Sequence, residues 1–148
     1  MVLVRGIARD EVAAAAAIIN EGTLTPGAEH PEREDEYWAA VEEVRARRGD
    51  VLVALDDGDV VGVCQVIIFR HFQHTGGWCA ELESVYVRGD RRGQRIGATM
   101  LQAAEDLARA VGCYRVQLTS RSVRVDAHRF YLAHGYEQSS LGFRKSLA

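Results

Sequence analysis

The sequence is short of most features that would settle a function at sight. It has three cysteines, Cys64, Cys79 and Cys113, with no CxxC pair and no Cys/His spacing suited to a metal. A disulfide scaffold and a zinc module are therefore not expected, and no metal is. Cys64 and Cys79 fall inside apolar runs, where a reduced thiol behaves as a small hydrophobe. All three read as structural thiols of a reducing, cytoplasmic setting. The opening MVLVRGIARDE lacks the apolar core and cleavage site of a secretory signal. No uncharged stretch approaches the roughly 18 residues that would span a bilayer. An excess of positive charge is also missing: the net charge is −3, with no interleaved basic and aromatic stripe. Neither nucleic acid nor an anionic membrane is expected as a partner. Internal repeats, low-complexity tracts and linkers are absent as well, so 1–148 reads as a single domain.

What is present is an ordinary globular composition, 47% hydrophobic and 26% charged, with a change of period along the chain. VLVRGIA reads as a short strand, and Asp10 as the cap of a helix ending at Gly22. Pro31 suits the first position of a second helix, in which Tyr37, Val41 and Val44 share a face. VLVAL and VVGVCQVIIF flank DDGD, the pattern of a β-hairpin. HFQHTGG is expected to be a loop, and WCAELESVYV another strand. The longest helix follows, with Ile96, Met100, Ala103, Ala104, Leu107 and Val111 as its buried stripe and Gly112 as its stop. YRVQLTS reads as a strand, VDAHRFYLAHG as a short helix, and YEQSSLGFRKSL as a final strand pair. This order predicts a three-layer α/β (α+β) fold around one mixed sheet.

Between strand and long helix lies VRGDRRGQRIGA, with Gly89, Gly93 and Gly97 four residues apart among Arg88, Arg91, Arg92 and Arg95. A helix start presents unpaired N–H groups and a partial positive charge, glycines allow a ligand close to the backbone, and arginines strengthen the field. A phosphate or pyrophosphate held by residues 92 to 98 is one reading; a glycine turn with solvated arginines is the other. The spacing is neither a GxxxxGK[ST] loop nor a GxGxxG fingerprint.

Strand, then Arg92-Gly93-Gln94-Arg95-Ile96-Gly97, then a long amphipathic helix resembles the acetyl-CoA motif of the GNAT superfamily of N-acetyltransferases, (Arg/Gln)-x-x-Gly-x-(Gly/Ala). Arg92 and Gly97 match, while Arg95 stands where the first motif glycine usually lies. About 35 residues on, Val125 to Tyr136 resembles the family's Phe-Tyr helix, with Phe130-Tyr131 and Gly135-Tyr136 in place and Asp126-Ala127 departing from its Asn-containing start. The resemblance implies a GNAT-type fold, with a central mixed, mostly antiparallel sheet flanked by helices. It implies acetyl-CoA as cosubstrate, its pyrophosphate on Arg92, Gly93, Gln94, Arg95, Ile96, Gly97 and Ala98. Val85 and Val87 would offer backbone groups to the pantetheine arm, and Asp126 counts with the cofactor-binding positions.

In such an enzyme an acceptor amine attacks the acetyl thioester. An alkylamine of pKa about 10.4 must first lose a proton, at about 4–5 kcal/mol at pH 7, so a base is worth seeking. Glu81 and Glu83, two apart on one strand, face the same side; the ordinary alternative is a salt-bridged or edge-exposed pair. By resemblance either one is the base, directly or through water, and Tyr131 is the acid that protonates the leaving thiolate. Two like charges so close predict one raised pKa. The acceptor is expected where the two N-terminal helices and the His71–Gly77 loop meet the sheet. Histidines in such a loop, His71 and His74, are ordinarily solvated. The expected acceptor is a small-molecule primary amine. A protein N-terminus or lysine, and a non-catalytic acyl-CoA sensor, stand as alternatives. An open sheet edge leaves room for a homodimer.

Overall fold

The computed structural model describes all residues 1–148, and its contacts divide them into two compact units, Met1–Gln117 and Leu118–Ala148. In the first unit five strands follow one another in the sheet in chain order: β1 (Val2–Gly6), β2 (Asp50–Asp56), β3 (Asp59–Arg70), β4 (Trp78–Val87) and β5 (Cys113–Leu118), the last residue of β5 opening the second unit. β1 to β4 are antiparallel neighbours. β5 is reached from β4 through helix α4 (Ile96–Val111), the connection that parallel neighbours require. The sheet is mixed, as the sequence predicts.

The β2–β3 hairpin turns where the sequence predicts it. Asp57 and Gly58 take φ of 48° and 83°, positive at both central positions as a type I′ turn demands. Helices α1 (Val12–Gly22) and α2 (Glu34–Ala46) cover one face of the sheet. Val12, Ala15 and Ile18 of α1 and Val41 of α2 pack there with Val53, Leu55 and Val63. Helix α4 buries Ile96, Met100, Leu101, Ala104 and Ala108. The stripe is displaced slightly from the expected one, since Ala103, Leu107 and Val111 are only half-buried. Ile96 and Met100 are among the most deeply buried side chains, each contributing about 1.5–3 kcal/mol by transfer from water.

Several local expectations are corrected. Asp10 does not cap α1, because the chain enters through a 3-10 turn, Arg9–Glu11. The Glu11 carboxylate closes that turn, accepting from the Ala8 amide at 2.7 Å and from both terminal nitrogens of Arg5 at 2.8 Å. α2 starts at Glu34 rather than Pro31, with Glu34, Asp35 and Glu36 in its first turn where the helix dipole favours acids. The 71–77 segment contains a single turn, α3 (Gln73–Gly76), in which His74 and Thr75 have left-handed backbone, φ 53° and 54°.

All three cysteines are free, and Cys64 and Cys79 are buried. Burial pushes the Cys64 thiol up to about 12, far from the thiolate a reactive cysteine needs. No helix is long and apolar enough to cross a membrane.

The second unit holds α5 (Val125–Ala133), followed by Gly135 with φ 90°. His134 Nδ1 donates back to the Phe130 carbonyl at 2.8 Å, and the Tyr136 amide to the Tyr131 carbonyl at 3.1 Å. The final strand pair expected over YEQSSLGFRKSL is not formed: residues 136–148 carry no strand. Leu141, Phe143 and Leu147 are 81%, 92% and 95% exposed. A strand is stabilised by cross-strand packing more than by its residue types, and these side chains gain no such burial.

Candidate active site

The site is organised by a break in β4. Opposite β3, Glu83 pairs with Gln65 and Tyr86 with Val63, so Ser84 and Val85 together oppose Cys64. This is a β-bulge, and Ser84 takes the positive φ, 53°. The extra residue returns Tyr86 to the face of Glu81 and Glu83, the face covered by α1 and α2. Gly22, the last residue of α1, lies so close to Tyr86 that an added Cβ would come within 2.7 Å of its ring. Of the two residues expected beside the pantetheine, Val85 lies in the bulge, outside the regular register with β3. Val87 is paired with Gly62. Nothing in the local sequence marks Ser84 as a bulge.

Glu81 and Glu83 do lie together, and neither pairs with a cation. Gln117 of β5 donates its side-chain amide from Nε2 to Glu81 Oε1 at 2.9 Å. Its carbonyl end faces the Cys79 thiol, Sγ to Oε1 3.6 Å, which fixes the amide the right way round. Glu83 counts among the exposed residues. Even so, the protein around its carboxyl strips enough hydration to raise its pKa, and the charge of Glu81 and a hydrogen bond with it raise it further. The sequence predicts one raised carboxylate, and the structure identifies it as Glu83. Gln117 was not anticipated, since a lone glutamine 36 residues from Glu81 carries no local signal.

Beyond the bulge the chain passes the 3-10 turn Gly89–Arg91 into the glycine turn. Arg88 pairs with Asp90, and Arg91 with Asp56; Gln94 accepts from Arg91 Nε at 2.8 Å. Arg92 and Arg95 have no carboxylate partner and are exposed. Gly93 has φ 78° with open space around it, and Arg95 holds the left-handed conformation, φ 64°, as the N-cap of α4. Ile96 is buried to 1%, so only its backbone is open to a ligand. Gly97 and Ala98 follow in the first turn, whose amides lack helical acceptors. Unlike α2, α4 has no acid there. The turn therefore offers free N–H donors, a helix N-terminus and two unpaired guanidiniums, which fits a pyrophosphate.

His71 and His74 lie elsewhere on the same unit. His71 is hydrogen-bonded to the Tyr114 hydroxyl, and the His74 ring sits 4.5 Å from that of Tyr114. They flank the start of β4 at Trp78, about 10 Å along the strand from Glu81 at 3.3 Å per residue. The structure does not bring them to the carboxylates.

Tyr131 and Asp126 belong to α5 of the second unit. The Tyr131 ring is edge-on to Phe130 at 5.3 Å and to Tyr136 at 5.8 Å, so the two halves of the aromatic motif pack on each other. Asp126, on the first turn, pairs with Arg129 at 3.2 Å.

Residues 14–136 match the acetyltransferase (GNAT) family. The chain belongs to that family. Over 95 residues, 64% of its length, it is 40% identical to an aminoalkylphosphonate N-acetyltransferase of Salmonella typhimurium, and the match spans 61% of that protein. A crystal structure described as a transcriptional regulator from Bacillus halodurans C-125 superposes with a TM-score of 0.91 at 27% identity, covering 99% of this chain and 100% of that one. Glucosamine-6-phosphate N-acetyltransferase from Arabidopsis thaliana shares the fold at a TM-score of 0.84 and 20% identity, over 100% and 99% of the two chains.

Proposed function

We propose that this GNAT protein is an N-acetyltransferase that moves an acetyl group from acetyl-CoA to the primary amine of a small molecule. The observation that carries the reading is the carboxylate pair on β4, uncompensated by any cation, beside a bulge and upstream of a phosphate-competent turn. Two like charges side by side on one strand face, one of them half-buried and neither paired with a cation, are costly to keep for structure alone. The 40% identical relative is named as an N-acetyltransferase of aminoalkylphosphonates, which supports a small amine as acceptor.

In this reading Glu83 is the base, directly or through one water. Its raised pKa brings it closer to neutrality, where a carboxylate is a more effective proton acceptor. Gln117 holds Glu81, and Glu81 in turn helps to raise Glu83. The amine nitrogen attacks the thioester carbonyl, its proton passes to Glu83, and the C–S bond breaks. Tyr131 is assigned the proton that the departing thiolate takes up. Arg92, Gly93, Gln94, Arg95, Ile96, Gly97 and Ala98 take the pyrophosphate, and the backbone at Val85 and Val87 the pantetheine arm. Acetyl-CoA supplies an activated acyl group whose thiol leaves with a pKa near 8.5, so the base carries more of the catalysis than the acid.

The test is calorimetric titration with acetyl-CoA, followed by thiol release over a panel of amines. Micromolar binding with amine-dependent release is expected. Gly97→Glu, which places bulk and negative charge at the pyrophosphate, should abolish binding in a folded protein. Binding without release from any amine or peptide would favour an acyl-CoA sensor.

A further inference from the structure

Along α2, Ala40, Glu43, Val44 and Arg47 fall at i, i+3, i+4 and i+7 and so share one face. With Gln65 and Ile67 of β3 they line a groove of about 250 Å³. Its floor is in register with the carboxylates: Gln65 stands opposite Glu83, and Ile67 opposite Glu81. Side chains directly opposite in an antiparallel pair point to one face with their Cβ atoms about 4.5–5.5 Å apart. The strand next to the groove floor therefore carries Glu81 and Glu83 on the same face, directly across from Ile67 and Gln65.

The groove's walls are mostly carbon. Ala40 is exposed, and Val44 and Ile67 are half-buried. The two charged lining residues, Glu43 and Arg47, pair with each other at 3.4 Å and are 70% and 75% exposed. Their charges are directed at one another and at water, while their stems widen the apolar rim. A ligand in this space meets hydrocarbon along its length, and the strand beside its floor carries the two carboxylates. That polarity matches an amine with an aliphatic body. At roughly 30 Å³ per water-sized group, the volume corresponds to about eight such groups.

We propose that the α2–β3 groove is the acceptor subsite, taking the aliphatic body of a primary amine of about four to eight carbons with its nitrogen at the Glu81/Glu83 end. This rests on the N-acetyltransferase reading and deepens it.

The experiment measures kcat/KM for linear primary amines from two to ten carbons, with the full chain and saturating acetyl-CoA, by thiol release. Each added methylene should raise kcat/KM about fourfold, the transfer value of a buried CH₂, until the groove is full. Ala40→Trp, at an exposed helical position, should collapse the ratio of the longest to the shortest amine towards one. Val44→Asp should lower the same ratio by making the wall polar; a second substitution keeps the test alive if one fails to fold. Release that is indifferent to chain length, or a ratio untouched by either folded variant, overturns the subsite alone. No release from any amine overturns the N-acetyltransferase reading and this inference with it.

Discussion

The Gln117 amide lies 2.9 Å from Glu81 Oε1, and the carboxylate whose pKa rises is the neighbouring one, Glu83. Loss of hydration to the protein around its carboxyl is the first cause of that rise and the charge of Glu81 the second. As pH falls through the raised pKa, Glu83 takes up a proton and its capacity as a base is lost, so kcat should fall on the acid side. Glu81→Gln removes the neighbouring charge but leaves the partial desolvation. The acid limb of the kcat–pH profile should then move to lower pH without disappearing. Glu83→Gln should cost about 10²–10⁴-fold in kcat and erase the limb. If the two profiles coincide with each other and with the parent, the pair is structural.

The fold was legible wherever a local signal decides the backbone. Asp57-Gly58 marks the hairpin, WCAELESVYV gives β4 from end to end, and Gly112 stops α4. The candidate site was legible in residue types: two carboxylates on one strand face and glycines and arginines before a helix. What the sequence withheld depends on partners far along the chain. Nothing near Ser84 says that β4 bulges there, because the bulge is defined by its pairing to β3. Gln117 finds Glu81 only once β5 has been laid beside β4. The groove under α2 exists only when Val44 and Ile67 face each other across two elements. The last strand pair failed for a related reason: alternating residue types over 136–148 do not make a strand without side-chain burial.

Glu11 offers a test of how α1 is held. Its carboxylate caps Ala8 and takes both Arg5 nitrogens, and Arg5 is the main cause of its lowered pKa. A carboxylate depressed on folding stabilises fully above its unfolded pKa, about 4.3. That contribution is lost as pH falls through the lower, folded value. Glu11→Gln keeps an acceptor for the Ala8 amide but loses the ion pair, and should cost about 0.2–1 kcal/mol at pH 7, read from urea midpoints. The gap should begin to narrow as pH falls below about 4.3 and close below the lowered folded value; a gap constant across pH would assign the effect to packing.

Tyr131 separates chemistry from binding. Tyr131→Phe keeps the ring that packs edge-on to Phe130 and Tyr136 and removes only the hydroxyl. As the acid for the leaving thiolate, it should lower kcat several-fold while the acetyl-CoA Kd stays within about twofold, because a thiol of pKa near 8.5 leaves fairly well unaided. An unchanged kcat would remove the acid role and leave Tyr131 as an aromatic of the α5 motif.

Arg95 sets backbone against charge. It holds a left-handed conformation at the start of α4, which costs a non-glycine residue roughly 1–2 kcal/mol. Family resemblance puts glycine at this position. Arg95→Gly relieves the strain and gives back part of the gain as unfolded-state entropy, for a net stabilisation of about 0.5–1 kcal/mol in urea unfolding. The same change removes one of two guanidiniums without a carboxylate partner at the turn. Acetyl-CoA should bind more weakly at low salt, and the difference from the parent should shrink as salt screens the lost charge. Stabilisation with no change in Kd would mean that the pyrophosphate is held by backbone and Arg92 alone. Weaker binding that ignores salt would mean that the arginine acts through its shape rather than its charge.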